Sequence, residues 1–380
     1  MKKILHILFF IGTICQAQTG LYNSGNLRIH DQGQLGFHTH LINNGTFDDN
    51  LGLAGFYGSS TLSVSGAFMP ILYDIEIATD AFVDLETSVN VLNNANFIVG
   101  NFNTPRAQPD IYLNFIQNAF SAGEADASKV DGYARITDIQ NFTFPVGDAS
   151  QLRPLILNSD TTNSTAKCAY FLEDPNNPST FPPFSTDIKP RTISAISTVE
   201  FWRLEGTVPS TISISWNARS NLASLATEVE QVTIMGWNKS AGSWLSLGNE
   251  ALGGDLTTGF VSSTTFVPDD YELITFGILA EAEDILTLDN YILTPNGDGI
   301  NDVLVIPELD LSPNNSIQIF DRLGLKVFDM VNYQDEFAGI SNVDNFVINR
   351  EKGLPEGIYF YLITMDDLGL NYQGFLYLER

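Results

Sequence analysis

Short runs of alternating apolar and polar residues, cut by Gly, Asn, Asp, Ser or Thr, recur along almost the whole of this 380-residue chain. Few segments carry the 3.6-residue apolar period of an amphipathic helix, so the pattern predicts an all-β fold. From Gly20 to about Phe120 the strands are shortest, as in Leu62-Ser63-Val64, Ile75-Glu76-Ile77, Phe82-Val83-Asp84-Leu85, Val89-Asn90-Val91 and Phe97-Ile98-Val99. Asn43-Asn44-Gly45 and Asn93-Asn94-Ala95-Asn96 separate them with residues that suit tight corners. Short strands between such corners predict a small β-solenoid, each coil burying alternate side chains against the next; a twisted sandwich is the competing reading.

From about 127 to 280 the strands lengthen and most of the large aromatics appear. Thr211 to Trp216 alternates cleanly, Val229 to Trp237 is a second apolar run, and Glu272 to Leu279 closes the region. Antiparallel strands so spaced predict an immunoglobulin-like or fibronectin-like sandwich, with Phe181-Pro182-Pro183-Phe184 in its longest loop. An acidic stretch, Ala280-Glu281-Ala282-Glu283-Asp284, then reads as a linker. Beyond it, two hairpin-like segments turn through Asp321-Arg322-Leu323-Gly324 and Asp366-Asp367-Leu368-Gly369, predicting a third, small Ig-like sandwich over 285–380.

The N-terminus has the form of an export leader. Lys2 and Lys3 precede an apolar stretch from Ile4 to Cys15, and Cys15-Gln16-Ala17 ends in a small residue, so cleavage is expected after Ala17. That stretch, broken by His6, Gly12 and Thr13, is well short of the roughly 20 apolar residues that span a bilayer. Ile14 occupies the position where a lipoprotein site needs a small residue. The expected organisation is therefore 1–17 leader, 18–126 solenoid-like domain, 127–280 sandwich and 285–380 terminal domain. The mature chain keeps one cysteine, Cys168, read as a small core residue, and has no stretch that reads as membrane-spanning. The full chain's formal charge of −27, which loss of Lys2 and Lys3 takes to −27 − 2 = −29, repels phosphate backbones and anionic lipid, which excludes nucleic acid as a partner.

Residues that could carry chemistry are sparse. His38-Thr39-His40 would set two imidazoles on one strand face, yet two ligands fall short of the three or four that zinc takes. Every histidine of the mature chain lies between residues 30 and 40, which leaves little for a triad. The sequence lacks H-E-x-x-H, G-x-S-x-G and a Gly-Lys-Ser/Thr phosphate loop. Its 45 acidic residues supply carboxylate pairs by abundance alone, Asp269-Asp270 and Asp366-Asp367 among them in expected turns. Trp202, Trp216, Trp237 and Trp244 are either a sugar-stacking platform or, the ordinary fate in a sandwich, buried core. Asn296, Asp298 and Asp302 offer hard oxygen ligands around Gly297 and Gly299, which admits a Ca²⁺ site or a plain Asx-and-Gly turn. No other cofactor is expected.

The terminal segment carries motifs in a fixed order. Thr294, Pro295, Asn296, Gly297, Asp298, Gly299, Asn301 and Asp302 form the first, and Ile319-Phe320-Asp321-Arg322-Leu323-Gly324 the second. Leu354-Pro355-Glu356-Gly357-Ile358-Tyr359-Phe360-Tyr361 and Gln373-Gly374-Phe375-Leu376-Tyr377-Leu378 follow. This segment resembles the gliding-motility-associated C-terminal domain, the type B sorting domain of the type IX secretion system in Bacteroidetes. Leu323 stands where the family usually has Trp, and Phe337-Ala338-Gly339 where it has Trp-Asp-Gly. The resemblance implies a transport address, with Arg322, Gly324, Gly357, Tyr359, Tyr361 and Gly374 among its marks and the outer-membrane secretion machinery as partner. Upstream, Phe144 to Asp148 paired with Arg153-Pro154-Leu155 resembles passengers of other secreted Bacteroidetes proteins and implies no chemistry.

The expectation is a non-enzymatic adhesive or structural protein, secreted or cell-surface by way of the periplasm, with a surface glycan or another surface protein as partner. A carbohydrate-binding module is the alternative, and a glycan hydrolase a distant third.

Overall fold

The computed structural model describes residues 20–280, 291–343, 353–368 and 370–380; the expected leader and the acidic residues 281–284 lie outside the described residues. The chain divides into two compact units, Met1–Leu279 and Ala280–Arg380.

The first unit begins as a parallel β-solenoid. Strands Gly20–Asn23, His40–Asn43 and Leu62–Ser65 stack in parallel on one side, and Gln34–Phe37 and Leu53–Gly58 on another. Register partners sit about one 20-residue coil apart, within the range of repeat units whose cores are buried by stacking. Like side chains therefore form columns through the interior: Leu41, Val64 and Leu85 on one side, Phe37, Phe56, Ile77 and Phe97 on the next, Leu72, Val91, Phe115 and Ile136 on the third. All of these are buried, each contributing about 1.5–3 kcal/mol of apolar burial.

The corners are tighter than the sequence suggests. Ile71–Leu85 and Val89–Asn103 are each one 15-residue strand, paired in parallel with register shifts between Leu72 and Asp74, at Ile77 and Ala78, and between Ala78 and Phe82. Asn93 to Asn96, expected as a corner, therefore lie inside a strand. Gly66 and Gly100, at φ +118° and +90°, do turn corners, where a Cβ would come within 2.2 Å of Asn43 O and 2.5 Å of Thr79 O. Buried Asn side chains fill the remaining corner space: Asn23 Nδ2 donates to Asn43 Oδ1 at 2.7 Å, and Asn43 Nδ2 donates to the Phe68 carbonyl at 2.9 Å.

The boundary expected at residue 126 is bridged by backbone pairing. Tyr133–Thr137 pairs in parallel with Leu113–Ile116 of the solenoid and antiparallel with Ala166–Phe171, so a single strand is the last rung of one architecture and the first strand of the next. Val130–Asp131 likewise pairs with both Val89–Asn103 and Val146–Gly147.

Beyond this junction lie two antiparallel layers. One carries Ala166–Phe171, Phe201–Gly206, Tyr271–Leu279, Val232–Asn238 and Ser243–Gly248. The other is a five-stranded sheet of Ile139–Phe144, Leu155–Asn163, Ser210–Trp216, Gly259–Ser262 and Ala251–Gly254. Trp216 of the second layer meets Phe276 of the first edge-on at 5.9 Å, and one apolar cluster runs without a break from Ile29 to Ile278. That continuity joins the expected solenoid and sandwich into one unit.

The second unit contains one five-stranded sheet in the order Tyr291–Leu293, Leu370–Leu378, Gly357–Met365, Asn315–Asp321, Lys326–Val331. Tyr359, Tyr361, Ile363, Leu376 and Leu378 bury one face against loop residues such as Leu304, Leu309 and Phe337. Ile358, Phe360, Leu362, Phe375 and Tyr377 leave the other face apolar and exposed. Among the described residues, loops rather than a second sheet cover the buried face.

Candidate functional site

The first terminal motif folds into a loop that satisfies itself. Asp302 lies where both of its oxygens accept backbone N–H groups, from Gly297 at 2.7 Å and from Gly299 at 2.8 Å. These two donors hold its carboxyl below the usual carboxylate range. Asn296 Oδ1 accepts from Asp298 N, Asp298 Oδ1 accepts from Ile300 N, and Asn296 Nδ2 donates to Asp298 Oδ2. Gly297, Gly299 and Asn301 adopt φ of +82°, +85° and +55°, which explains why Gly and Asn stand there. Thr294 closes the loop, its N–H donating to Asn301 O and its hydroxyl to Ile300 O. Pro295 lies beside it in the same connection.

Oxygens of this kind suit Ca²⁺. Every side-chain oxygen of Asn296, Asp298 and Asp302 nevertheless already accepts a hydrogen bond within the loop. Among the described residues, no three His, Cys, Asp or Glu side chains come together as a metal site.

The second motif is a hairpin turn. Asp321 Oδ1 accepts from Leu323 N and Leu325 N, and Gly324 takes φ +82°, leaving Leu323 85% exposed. Arg322 follows Asp321 in that turn. In the third motif, Gly357 sits at φ +145° and the Tyr359 hydroxyl donates to Pro355 O at 2.7 Å.

Gly374 is not among the positive-φ glycines; its requirement is space. It pairs across the sheet with Tyr361, whose ring lies over it, so that a Cβ on Gly374 would stand 2.3 Å from the Tyr361 hydroxyl oxygen. The third and fourth motifs are thus two halves of one cross-strand contact. Arg380 ties nearby loops together by donating to Gly339 O and Leu354 O.

Upstream, the paired motif at 144–155 builds a charged network. Arg153 and Glu200, 2% and 0% exposed, form an ion pair at 2.7 Å. Glu200 also accepts from the Tyr170 hydroxyl at 2.6 Å, and Arg219 links that hydroxyl to Asp148. Burial, followed by the Glu200 charge, pushes the Tyr170 hydroxyl far above its ordinary value. Asp148 is itself half-buried, but donors from Ser150, Arg219 and Gln151 outweigh that burial and hold its carboxyl below the usual range. Sequence reading found Arg153 and Asp148 but missed Glu200 and Arg219, which lie 47 and 71 positions further on with no local signal.

The remaining candidates disperse. His38 is on a bend after strand Gln34–Phe37, against the Tyr57 ring at 5.7 Å, while His40 opens the next strand and contacts Ser63. They do not share a strand face as expected, because the chain turns between them. Trp202, Trp216 and Trp244 are buried, and Trp237 packs edge-on against Trp244 at 5.7 Å. Phe184 of the long loop packs edge-on against Trp237 at 5.5 Å. Cys168 is a free, fully buried thiol whose burial pushes its pKa well up. Among the described residues, no helix is long and apolar enough to cross a membrane.

Comparison with curated proteins and with solved structures returned no match. The family model of the CHU_C type IX secretion signal domain matches residues 286–378, the sorting domain expected from the terminal motifs, and it marks the protein as exported, to the cell surface or the medium.

Proposed function

We propose that residues 18–279 are a non-enzymatic adhesive or structural passenger, delivered by the terminal domain after a leader is removed at Ala17. The observation that carries this reading is the sorting-domain match at 286–378 behind a solenoid with a continuous core. Such a scaffold presents long, fixed side-chain arrays instead of an enclosed cavity, which suits attachment. The antiparallel layers serve as its base, a sandwich of the immunoglobulin or fibronectin kind. The burial of three of the four tryptophans weighs against a Trp-based sugar platform on that base.

Two measurements test the reading. In the native host, a chain truncated after Asp284 should remain in the periplasm while the full chain reaches the surface or medium. Equal export of both would overturn the address. A deletion strain should lose attachment to polymer-coated surfaces, and unchanged attachment would overturn the adhesive role.

A further inference from the structure

A trough runs along the outside of the solenoid, parallel to its axis, across five successive coils. It encloses about 560 Å³ and passes from Gln34 through Leu53, Asp74 and Asn94 to Phe120. These residues form one register column, so adjacent steps lie about 4.8 Å apart and the trough is roughly 19 Å long. The backbones of two coils approach closely in its bed, where a Cβ on Gly52 would stand 2.2 Å from the Gly33 oxygen.

The bed is lined by side chains held rigid in pairs. Asn93 Nδ2 donates to Asp74 Oδ1 at 2.7 Å, Asn96 Nδ2 donates to Glu76 Oε2 at 2.7 Å, and the Tyr57 hydroxyl donates to Glu76 Oε1 at 2.9 Å. Each pair uses part of its capacity. Asp74 Oδ2 and the Oδ1 atoms of Asn93 and Asn96 have no hydrogen bond among the described residues, and each amide keeps a second hydrogen to donate. Exposed Leu51 and Phe120 line the same trough with apolar surface.

We propose that this trough binds an uncharged, hydroxyl-rich glycan chain lying along the solenoid axis, gripped by Asp74, Asn93 and Asn96 and flanked by Phe120 and Leu51. This deepens the adhesive reading and rests on it. Hydroxyl groups both donate and accept, matching an array that offers free acceptors and free donors at fixed intervals, while the C–H faces of sugar rings suit the apolar flanks. A polyanion is excluded because Asp31, Asp74 and Glu76 line the trough without a lysine or arginine. Backbone pairing of an added peptide strand is excluded at the three middle coils, since Leu53–Gly58, Ile71–Leu85 and Val89–Asn103 are paired on both edges.

The test is an array of linear neutral glucan, mannan and xylan oligosaccharides, with polygalacturonate and heparin as polyanionic arms, probed with the full mature chain. Expected is binding to at least one neutral series and none to the polyanions. Asn93→Ala and Phe120→Ala should each weaken that binding at least tenfold, with circular dichroism and melting temperature unchanged. Silence on every neutral series, preference for a polyanion, or undiminished binding by both variants overturns the proposal. A silent array with attachment lost in the deletion strain removes the trough and leaves adhesion standing. A positive array with normal attachment does the reverse.

Discussion

The solenoid corners and the first terminal motif are built from the same residues, Asn, Asp and Gly, and use them in opposite ways. In the solenoid, Asn23 and Asn43 are buried and bond across coils, each side chain reaching a partner 20 or 25 positions away. In the terminal loop, Asn296, Asp298 and Asp302 are bonded to groups at most five positions away, and Asn296 to Asn301 are exposed. Composition alone does not distinguish a coil-stacking element from a self-contained loop. What separates them is whether water can substitute when a bond is lost.

The largest effect should come from the buried charges of the first unit. Glu200→Ala leaves Arg153 uncompensated and takes away the acceptor of the Tyr170 hydroxyl proton, and should lower stability by about 3–5 kcal/mol, read as the denaturant midpoint. Asn43→Ala is next, at about 1–3 kcal/mol for each buried group left without a partner. The exposed counterpart, Asn296→Ala, should cost only about 0.5 kcal/mol in the second unit, because solvent takes over its bonds. Equal losses for Asn43→Ala and Asn296→Ala would erase the contrast between the two regions.

Acid should sharpen it. The folded carboxyl of Asp148 is depressed, so its contribution is fully present above the unfolded carboxylate pKa and is lost as pH falls through the folded value. Melting temperature of the first unit should therefore fall below about pH 4, and more shallowly in Asp148→Asn. The smallest effect concerns Ca²⁺. With the loop oxygens of Asn296, Asp298 and Asp302 already engaged, the second melting transition of the full chain should be the same in millimolar Ca²⁺ and in chelator. A rise of several degrees with Ca²⁺ would show that the ion displaces those bonds.

Much of this arrangement was legible in the sequence for physical reasons. Period-2 alternation and the absence of a sustained helical period settled the all-β character, and Asn43-Asn44-Gly45 marked a true corner. The terminal motifs were readable by their resemblance to a known sorting domain, and in the first two the bonds are local: Asp302 reaches back only to Gly297, and Gly324 closes a hairpin. Whatever depends on distant partners was not. The junction at Tyr133–Thr137 looks like any other strand, the partner of Arg153 is 47 positions away, and the reason for Gly374 is a ring on the neighbouring strand. The trough is illegible for the same cause, since Gln34, Leu53, Asp74, Asn94 and Phe120 fall into one column only when the coils stack.

Strand Tyr271–Leu279 has an unusual place in the order of synthesis. It pairs with Val232–Asn238, Ile193–Ile196 and Phe201–Gly206, joining three parts of the antiparallel layer, yet it is the last passenger strand to emerge. The terminal address begins only a few residues later, at 286. A nascent chain that stops short of the keystone strand also lacks its passport. Proofreading of completeness thus comes from gene order alone: every molecule that presents the address already holds the strand that locks its cargo.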